Sequence, residues 1–259
     1  MMRKGLEWTF DTVVEQYEKW RPGYVPALYA DLFAYRLLDK TSRAVEIGIG
    51  SGQATLPVLQ TGCNVMAVEY GSNFSAFCRN KFQAFPNFSV VTSKFEDFPH
   101  EDCSCDLIYS ASAFHWVPEE SGYQKAFAML KSGGAFARFA NHPYKDKKQT
   151  ELSQKINDIY AVYIPGNREP AEYAESDAKE RAEIARRYGF TDICYHLYHR
   201  TRTFGAKEYT ALLGTYSDHR VLEERTRNAF FSEIEAAINA FGGEITIYDT
   251  IDLELARKP

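Results

Sequence analysis

Between Ala44 and Gly52 the chain reads Ala-Val-Glu-Ile-Gly-Ile-Gly-Ser-Gly, and no other stretch restricts the fold as much. Its first half is short and apolar, as a strand buried on both faces of a parallel sheet would be. It then breaks into three glycines at alternate positions, Gly48, Gly50 and Gly52, and Gln53-Ala54-Thr55-Leu56 opens a helical pattern behind them. Glycine lets the backbone turn sharply and lets a ligand press on the main chain, because no Cβ is in the way. A helix that starts there offers unpaired N–H groups and the positive end of its dipole to the same ligand.

Strand and helix patterns alternate around this corner. Strands are predicted near 43–48, at Asn64–Glu69, at Phe88–Val91, at Asp106–Ser110 and at Ala135–Ala140. Helices are predicted at about 52–60, at 72–84 and at Tyr123–Leu130, and Lys131-Ser132-Gly133-Gly134 reads as a turn. Glu69 closes the second strand about twenty residues after the first glycine, where an open α/β nucleotide fold places an acid on the ribose hydroxyls. An ionised carboxylate has two acceptor oxygens and takes both hydroxyls. That feature does not by itself say which nucleoside ligand is bound.

The loop departs from the dinucleotide fingerprint G-x-G-x-x-G, because residue 53 is Gln and the third glycine comes one residue early. It fits E-x-G-x-G-x-G, with Glu46 as the acid, and so resembles motif I of the class I S-adenosylmethionine-dependent methyltransferases. Ser93-Lys94-Phe95-Glu96-Asp97-Phe98-Pro99 is similar to that family's G-D-A-E-D-L-P segment, in which the residues matching Phe95 and Glu96 flank the adenine. Lys94 stands where the family often has Asp, so Glu96 or Asp97 is expected to make the polar adenine contact. Asp106 to Trp116 reads D-L-I-x-S-x-x-A-x-H-W and resembles motif IV of the group that includes trans-aconitate methyltransferase. Phe10 to Pro26 resembles F-D-x-x-x-x-x-Y-x-x-x-R-P-x-Y-P of the same group, with Val25 preceding Pro26.

The resemblance implies an α/β fold: a Rossmann-like, seven-stranded, mostly parallel sheet with helices on both faces and an antiparallel last hairpin. Residues 1–40 would form an N-terminal helical lid, 41–141 the cofactor core, 142–188 a helical substrate-covering insertion, and 189–259 the C-terminal sheet and helices. Within 142–188 helices are expected at Thr150–Tyr163 and again toward Tyr188, with a Pro165–Pro170 loop between them. Asn141-His142-Pro143-Tyr144 looks like the motif of amino-methylating nucleic-acid enzymes, but it follows the fifth strand and reads as a loop.

The implied cofactor is S-adenosyl-L-methionine. The residues implied to hold it are Tyr17, Arg21, Glu46, Gly48, Gly50, Gly52, Glu69, Tyr70, Phe95, Glu96, Ser110 and Ala111. The methyl acceptor would meet Tyr24, His115, Trp116, Tyr216 and His219, although no mechanistic role suggests itself for the last two. Aromatic faces such as Tyr17 or Trp116 favour a sulfonium. A carboxylate acceptor needs only cationic groups to place it, with Arg21, Arg138, Arg220 and His219 as candidates. A phenol, amine or carbon acid needs a base, for which His115 has a suitable ordinary pKa.

A net charge of −5 argues against a nucleic-acid backbone as the partner, and a small-molecule acceptor is expected. An RNA or protein methyltransferase is the alternative, and an NAD-binding or catalytically idle module a further one. The five cysteines form no regular framework, which suits reduced thiols and a cytoplasmic location. Cys103-Ser104-Cys105 lacks a second Cys/His pair, so no metal is expected. No apolar run has the length of a signal-peptide core or a membrane helix.

Overall fold

Alternation along the strands builds the sheet. In the computed structural model, which describes residues 6–145, 147–166 and 171–259, successive residues of each central strand enter opposite cores. Ala44, Leu107, Tyr109, Ala137 and Phe139 join one apolar cluster; Val45, Ile47, Ile108 and Phe136 join another. The basic start Met1–Gly5, Asp146, and the loop residues 167–170 named above lie outside the described residues.

The described chain runs through a 3-10 turn (Glu7–Thr12), α1 (Val14–Trp20), α2 (Pro26–Tyr35), β1 (Arg43–Ile47), α3 (Thr55–Leu59), β2 (Asn64–Glu69), α4 (Ser72–Lys81), β3 (Phe88–Thr92) and β4 (Cys105–Ala111). It continues with α5 (Glu119–Met129), β5 (Leu130–Tyr144), α6 (Thr150–Tyr163), α7 (Glu175–Glu183), β6 (Thr191–Gly205), α8 (Ala206–Leu213), α9 (Ser217–Arg220), α10 (Glu224–Ala240) and β7 (Glu244–Arg257). The seven strands lie in the order β3-β2-β1-β4-β5-β7-β6. The first five pair in parallel. β7 runs the other way, since Lys258 at its end exchanges backbone bonds with Gly133 and Gly134 near the start of β5. The expected Rossmann-like sheet is therefore the observed one.

Three expectations about these elements need correction. The predicted turn at Lys131–Gly134 is part of β5, and Asn141–Tyr144 is strand and not loop. A register shift between Cys105 and Leu107 marks the first place. There Gly133 takes φ +75°, and the two glycines pair with Lys258 instead of with β4. Local turn chemistry is thus overridden by a partner over a hundred residues away in sequence. The helix after the glycine loop also begins at Thr55, later than Gln53, and has only five residues.

By contact, the chain forms two compact units. The core unit comprises Pro22–Asn141, Ala174–Tyr198 and Ile251–Pro259. Its two apolar clusters cover the two faces of the central strands. α2, α3 and α4 supply Leu28, Leu32, Val58 and Cys78 to one, and α5 supplies Tyr123, Ala126 and Met129 to the other. The helical unit comprises the chain up to Arg21, His142–Tyr173 and His199–Thr250. There α10 packs on α6 and α8, and α1 on α8, around Ile156, Leu212, Phe230 and Ile234. Among the described residues no helix is long and apolar enough to cross a membrane.

Gly48 offers a test of how tightly the central corner is built. It sits at φ +69°, and a Cβ there would come within 2.5 Å of the Ala113 Cβ. Gly48→Ala should therefore lose about 3 kcal/mol of stability, from left-handed strain plus overpacking. Gly133→Ala, at φ +75° with nothing within 4 Å, should lose only about 1 kcal/mol. Urea unfolding midpoints measure both; equal losses would show that the contact with Ala113 is immaterial.

Candidate cofactor and methyl-transfer site

The glycine loop emerges from β1, and all three of its glycines have positive φ: +69° at Gly48, +55° at Gly50 and +82° at Gly52. A side chain would be strained at each. A Cβ on Gly52 would also strike the Phe82 ring at 2.5 Å. From α4, the Cys78 thiol reaches the Gly50 carbonyl at 3.2 Å and Lys81 Nζ donates to the Ser51 carbonyl at 2.8 Å. The sequence shows Phe82 and Cys78 as core residues only; their role in seating the loop has no local signal.

Glu46 lies below the loop and is completely buried. Its Oε2 accepts from the hydroxyls of Thr55 (2.8 Å) and Tyr109 (2.7 Å), while its Oε1 is buried without a partner. Burial pushes this carboxyl up to about 7, against the pull of the Tyr109 and Thr55 hydroxyls, and Glu69 adds a smaller push upward. Glu69 ends β2 beside the loop. Its Oε2 accepts from the Gly50 N–H at 2.9 Å and its Oε1 from the Gly71 N–H at 2.8 Å. The five-residue helix contributes little dipole, so the charges at this corner are those of the carboxylates and of the Lys81 ammonium.

Two other strand ends supply further expected residues. Tyr70, next to Glu69, is 46% exposed, and Lys94 Nζ lies over its ring at 5.7 Å. Lys94, the departure from the family pattern, thus stacks on a neighbouring ring. Phe95 is buried under Lys125, 5.4 Å from its ring centre, and the same ammonium takes the backbone carbonyl of exposed Glu96 at 2.8 Å. At the end of β4, Ser110 is buried and its hydroxyl donates to the Ile47 carbonyl at 2.9 Å, with half-buried Ala111 following.

Beyond Ala111 the chain bends through Ser112, a non-glycine residue at φ +54°. Such a conformation persists only where its surroundings impose it. Here the Ser112 N–H donates to the Phe139 carbonyl at 2.8 Å, and its Oγ shares a 2.8 Å hydrogen bond with the Tyr24 hydroxyl. Tyr24 in turn stands edge-on to Phe139, 4.7 Å between ring centres. The bend leads into a short turn carrying His115, which is exposed, and Trp116, whose ring centre is 5.0 Å from the imidazole. The core unit therefore gathers Tyr24, Ser112, His115 and Trp116 at the outlet of β4. Ser112 is missing from the sequence reading, because a serine in a left-handed bend looks like any other serine.

Tyr17, Arg21, Tyr216 and His219 belong to the helical unit. Arg21 lies between rings there, its Cζ 5.0 Å from the Tyr17 centroid and 4.2 Å from that of Tyr216. Its guanidinium donates to the hydroxyl and the carbonyl of Thr215, each at 2.9 Å. His219 is 1% exposed, with Nδ1 2.9 Å from the Leu213 carbonyl and Nε2 without a partner. Burial holds its imidazole below the ordinary range, so it is a neutral group and not one of the expected cations. Arg138 is not a free cation either: buried in β5, it is ion-paired with Glu254, as is Arg181.

Residues 45–137 match the family model described as a methyltransferase domain. An uncharacterised methyltransferase of Schizosaccharomyces pombe is 24% identical over 231 residues, 89% of this chain and 87% of that protein. A malonyl-[acyl-carrier protein] O-methyltransferase of Marinomonas is 24% identical over 136 residues, 51% of this chain and 50% of that protein. Among solved structures, the phosphoethanolamine N-methyltransferase 2 of Haemonchus contortus, in complex with S-adenosyl-L-methionine, has a TM-score of 0.55 at 15% identity, covering 96% of this chain and 57% of that one. A candidate type II methyltransferase from Anaeromyxobacter dehalogenans has a TM-score of 0.66 at 20% identity, covering 92% and 98%.

The raised Glu46 carboxyl predicts a pH dependence. Its folded pKa lies above the ordinary 4.5. Between about 4.5 and 7 the native state therefore keeps a proton that the unfolded chain has released. Its stabilising contribution is full below that window and lost above it, on the order of 3 kcal/mol in all. Glu46→Gln, which stays neutral and still offers an oxygen to Thr55 and Tyr109, should gain on wild type as pH rises from 5 to 8. Melting temperatures whose difference does not change with pH would reject the assignment. Taken together, the positive-φ glycine loop, the strand-end carboxylate and the matched domain make this chain an S-adenosylmethionine-dependent methyltransferase.

Proposed function

We propose that the enzyme methylates an oxygen or nitrogen of a small organic acceptor, and that the acceptor is received where the chain leaves β4. The observation that carries this reading is the imposed bend at Ser112, which is hydrogen-bonded to the Tyr24 hydroxyl and leads into the turn that carries His115 and Trp116. Under this reading Gly48, Gly50 and Gly52 give the cofactor's amino-acid end close access to the main chain. Glu69 takes the ribose hydroxyls, Tyr70, Phe95 and Glu96 surround the adenine, and Ser110 and Ala111 form the floor. The unpartnered Oε1 of Glu46 leaves an acceptor beneath the loop. The site residues thus suit a cationic nucleoside with a sugar diol.

Bound S-adenosylmethionine supplies a methyl group activated on a sulfonium, which becomes a neutral thioether when a lone pair displaces it. The protein's task is to hold that lone pair about 3–3.5 Å from the methyl carbon and in line with the breaking bond, with water kept out. A carboxylate acceptor loses no proton. An alcohol, phenol or ammonium-derived acceptor does, and the His115 imidazole is the group proposed to take it. The O-methylating and N-methylating relatives support acceptors of either kind, and a net charge of −5 weighs against a nucleic-acid acceptor.

The decisive experiment is transfer of labelled methyl groups to panels of small acids, phenols and amines, run beside total RNA and protein. Label should enter a small molecule; label confined to RNA or protein would overturn the proposal. His115→Asn should lower turnover on any acceptor that gives up a proton, by about a hundredfold or more, with cofactor affinity retained. Full turnover would remove His115 from the chemistry. Glu69→Ala should weaken cofactor binding by about 1–3 kcal/mol. An unchanged dissociation constant by calorimetry would exclude the ribose contact.

A further inference from the structure

We propose that the helical unit carries a binding site for a small phosphate-bearing molecule, formed by Lys207, Arg220 and Arg227. These three side chains border a depression of about 310 Å³ lined also by Val13, Ala211 and Phe231. The lining comes from the start of α1, from α8, and from the segment running through α9 into α10. The inference does not depend on the identity of the methyl acceptor.

The cations of this depression lack the carboxylate partners that Arg138, Arg200 and Arg202 have. None of the three forms an ion pair among the described residues. Arg220 donates from Nη2 to the Thr12 hydroxyl at 2.8 Å, and its Nε is buried with no partner. Arg227 Nη1 lies 3.4 and 3.5 Å from the carbonyls of Arg220 and Leu222, at the far limit of hydrogen bonding. Two acids of α8 and α10 bond other groups. Glu208 Oε2 accepts from the Gly205 N–H at 3.0 Å and Glu235 Oε1 from the Thr210 hydroxyl at 2.7 Å. Burial, then the neighbouring Arg227, pull the Arg220 pKa down, which is how a guanidinium without a counter-charge behaves.

Such an arrangement is costly without an anion and favourable with one, since two half-buried guanidiniums with an exposed ammonium beside them attract a counter-charge strongly. A single carboxylate would be satisfied by one guanidinium fork. Two forks and an ammonium at one concave place match the charge and the several acceptor oxygens of a phosphate monoester. The apolar lining suits an organic body on that ester more than inorganic phosphate alone.

Calorimetry of the full chain with phenyl phosphate, inorganic phosphate, sulfate and succinate, at ionic strength matched with sodium chloride, tests the site. Saturable one-to-one binding is expected for phenyl phosphate, with inorganic phosphate weaker. Lys207→Gln and Arg227→Gln should each weaken it about tenfold or more. The double variant should abolish it while S-adenosylmethionine binding stays unchanged. Ala211→Leu, which fills the depression without changing charge, should also remove phenyl phosphate binding. Absence of saturable binding, equal affinity in the double variant, or tighter binding of succinate than of phenyl phosphate would each overturn the proposal.

Discussion

One buried carboxylate ties together the parts on which the glycine-loop corner depends. Glu46 receives hydroxyl bonds from Thr55 and from Tyr109, and so joins β1 to α3 and to β4. The glycine loop leaves the chain at one end of this bond and returns at the other, so the Glu46–Thr55 contact closes it into a short ring. An unsatisfied carboxyl in that position would cost several kcal/mol, so the closure is enforced as well as permitted. Seated on Phe82, Cys78 and Lys81 and joined to Glu69 through the Gly50 N–H, the loop has little freedom left.

What the sequence reveals about this corner follows from how local its determinants are. β2 is read to the residue, because Asn64–Glu69 is a short apolar run preceded by Gly62 and followed by Gly71. The three glycines announce positive φ by their identity alone. By contrast, Ser112 is held left-handed by Phe139 and Tyr24. Arg138 is neutralised by Glu254, 116 positions away. The strand character of Lys131–Gly134 rests on Lys258. Propensity and spacing cannot show partners so distant in sequence, and that is where the expectations needed correcting.

Arginine illustrates the same division by physical role. Arg138 and Arg181 in the core unit are fixed by Glu254 and Asp252, and Arg200 and Arg202 in the helical unit by Asp249. A buried guanidinium paired in this way is structural, and removing its carboxylate would leave a stranded charge. Arg21 is held instead by two tyrosine faces and the hydroxyl and carbonyl of one threonine. Arg220 and Arg227 have neither arrangement. Identical side chains thus serve as braces where acids face them and remain receptive where none does.

The near-contact between Gly48 and Ala113 bears on how acceptor preference could diversify on this scaffold. Residue 113 lies in the outlet segment, two positions before His115, yet its methyl group occupies the space that a Cβ on Gly48 would need. A bulkier residue at 113 would press on the glycine loop. Variation in the outlet should accordingly concentrate at positions 115 and 116 and avoid 113. A library built on this scaffold would keep the loop's shape where residue 113 stays small.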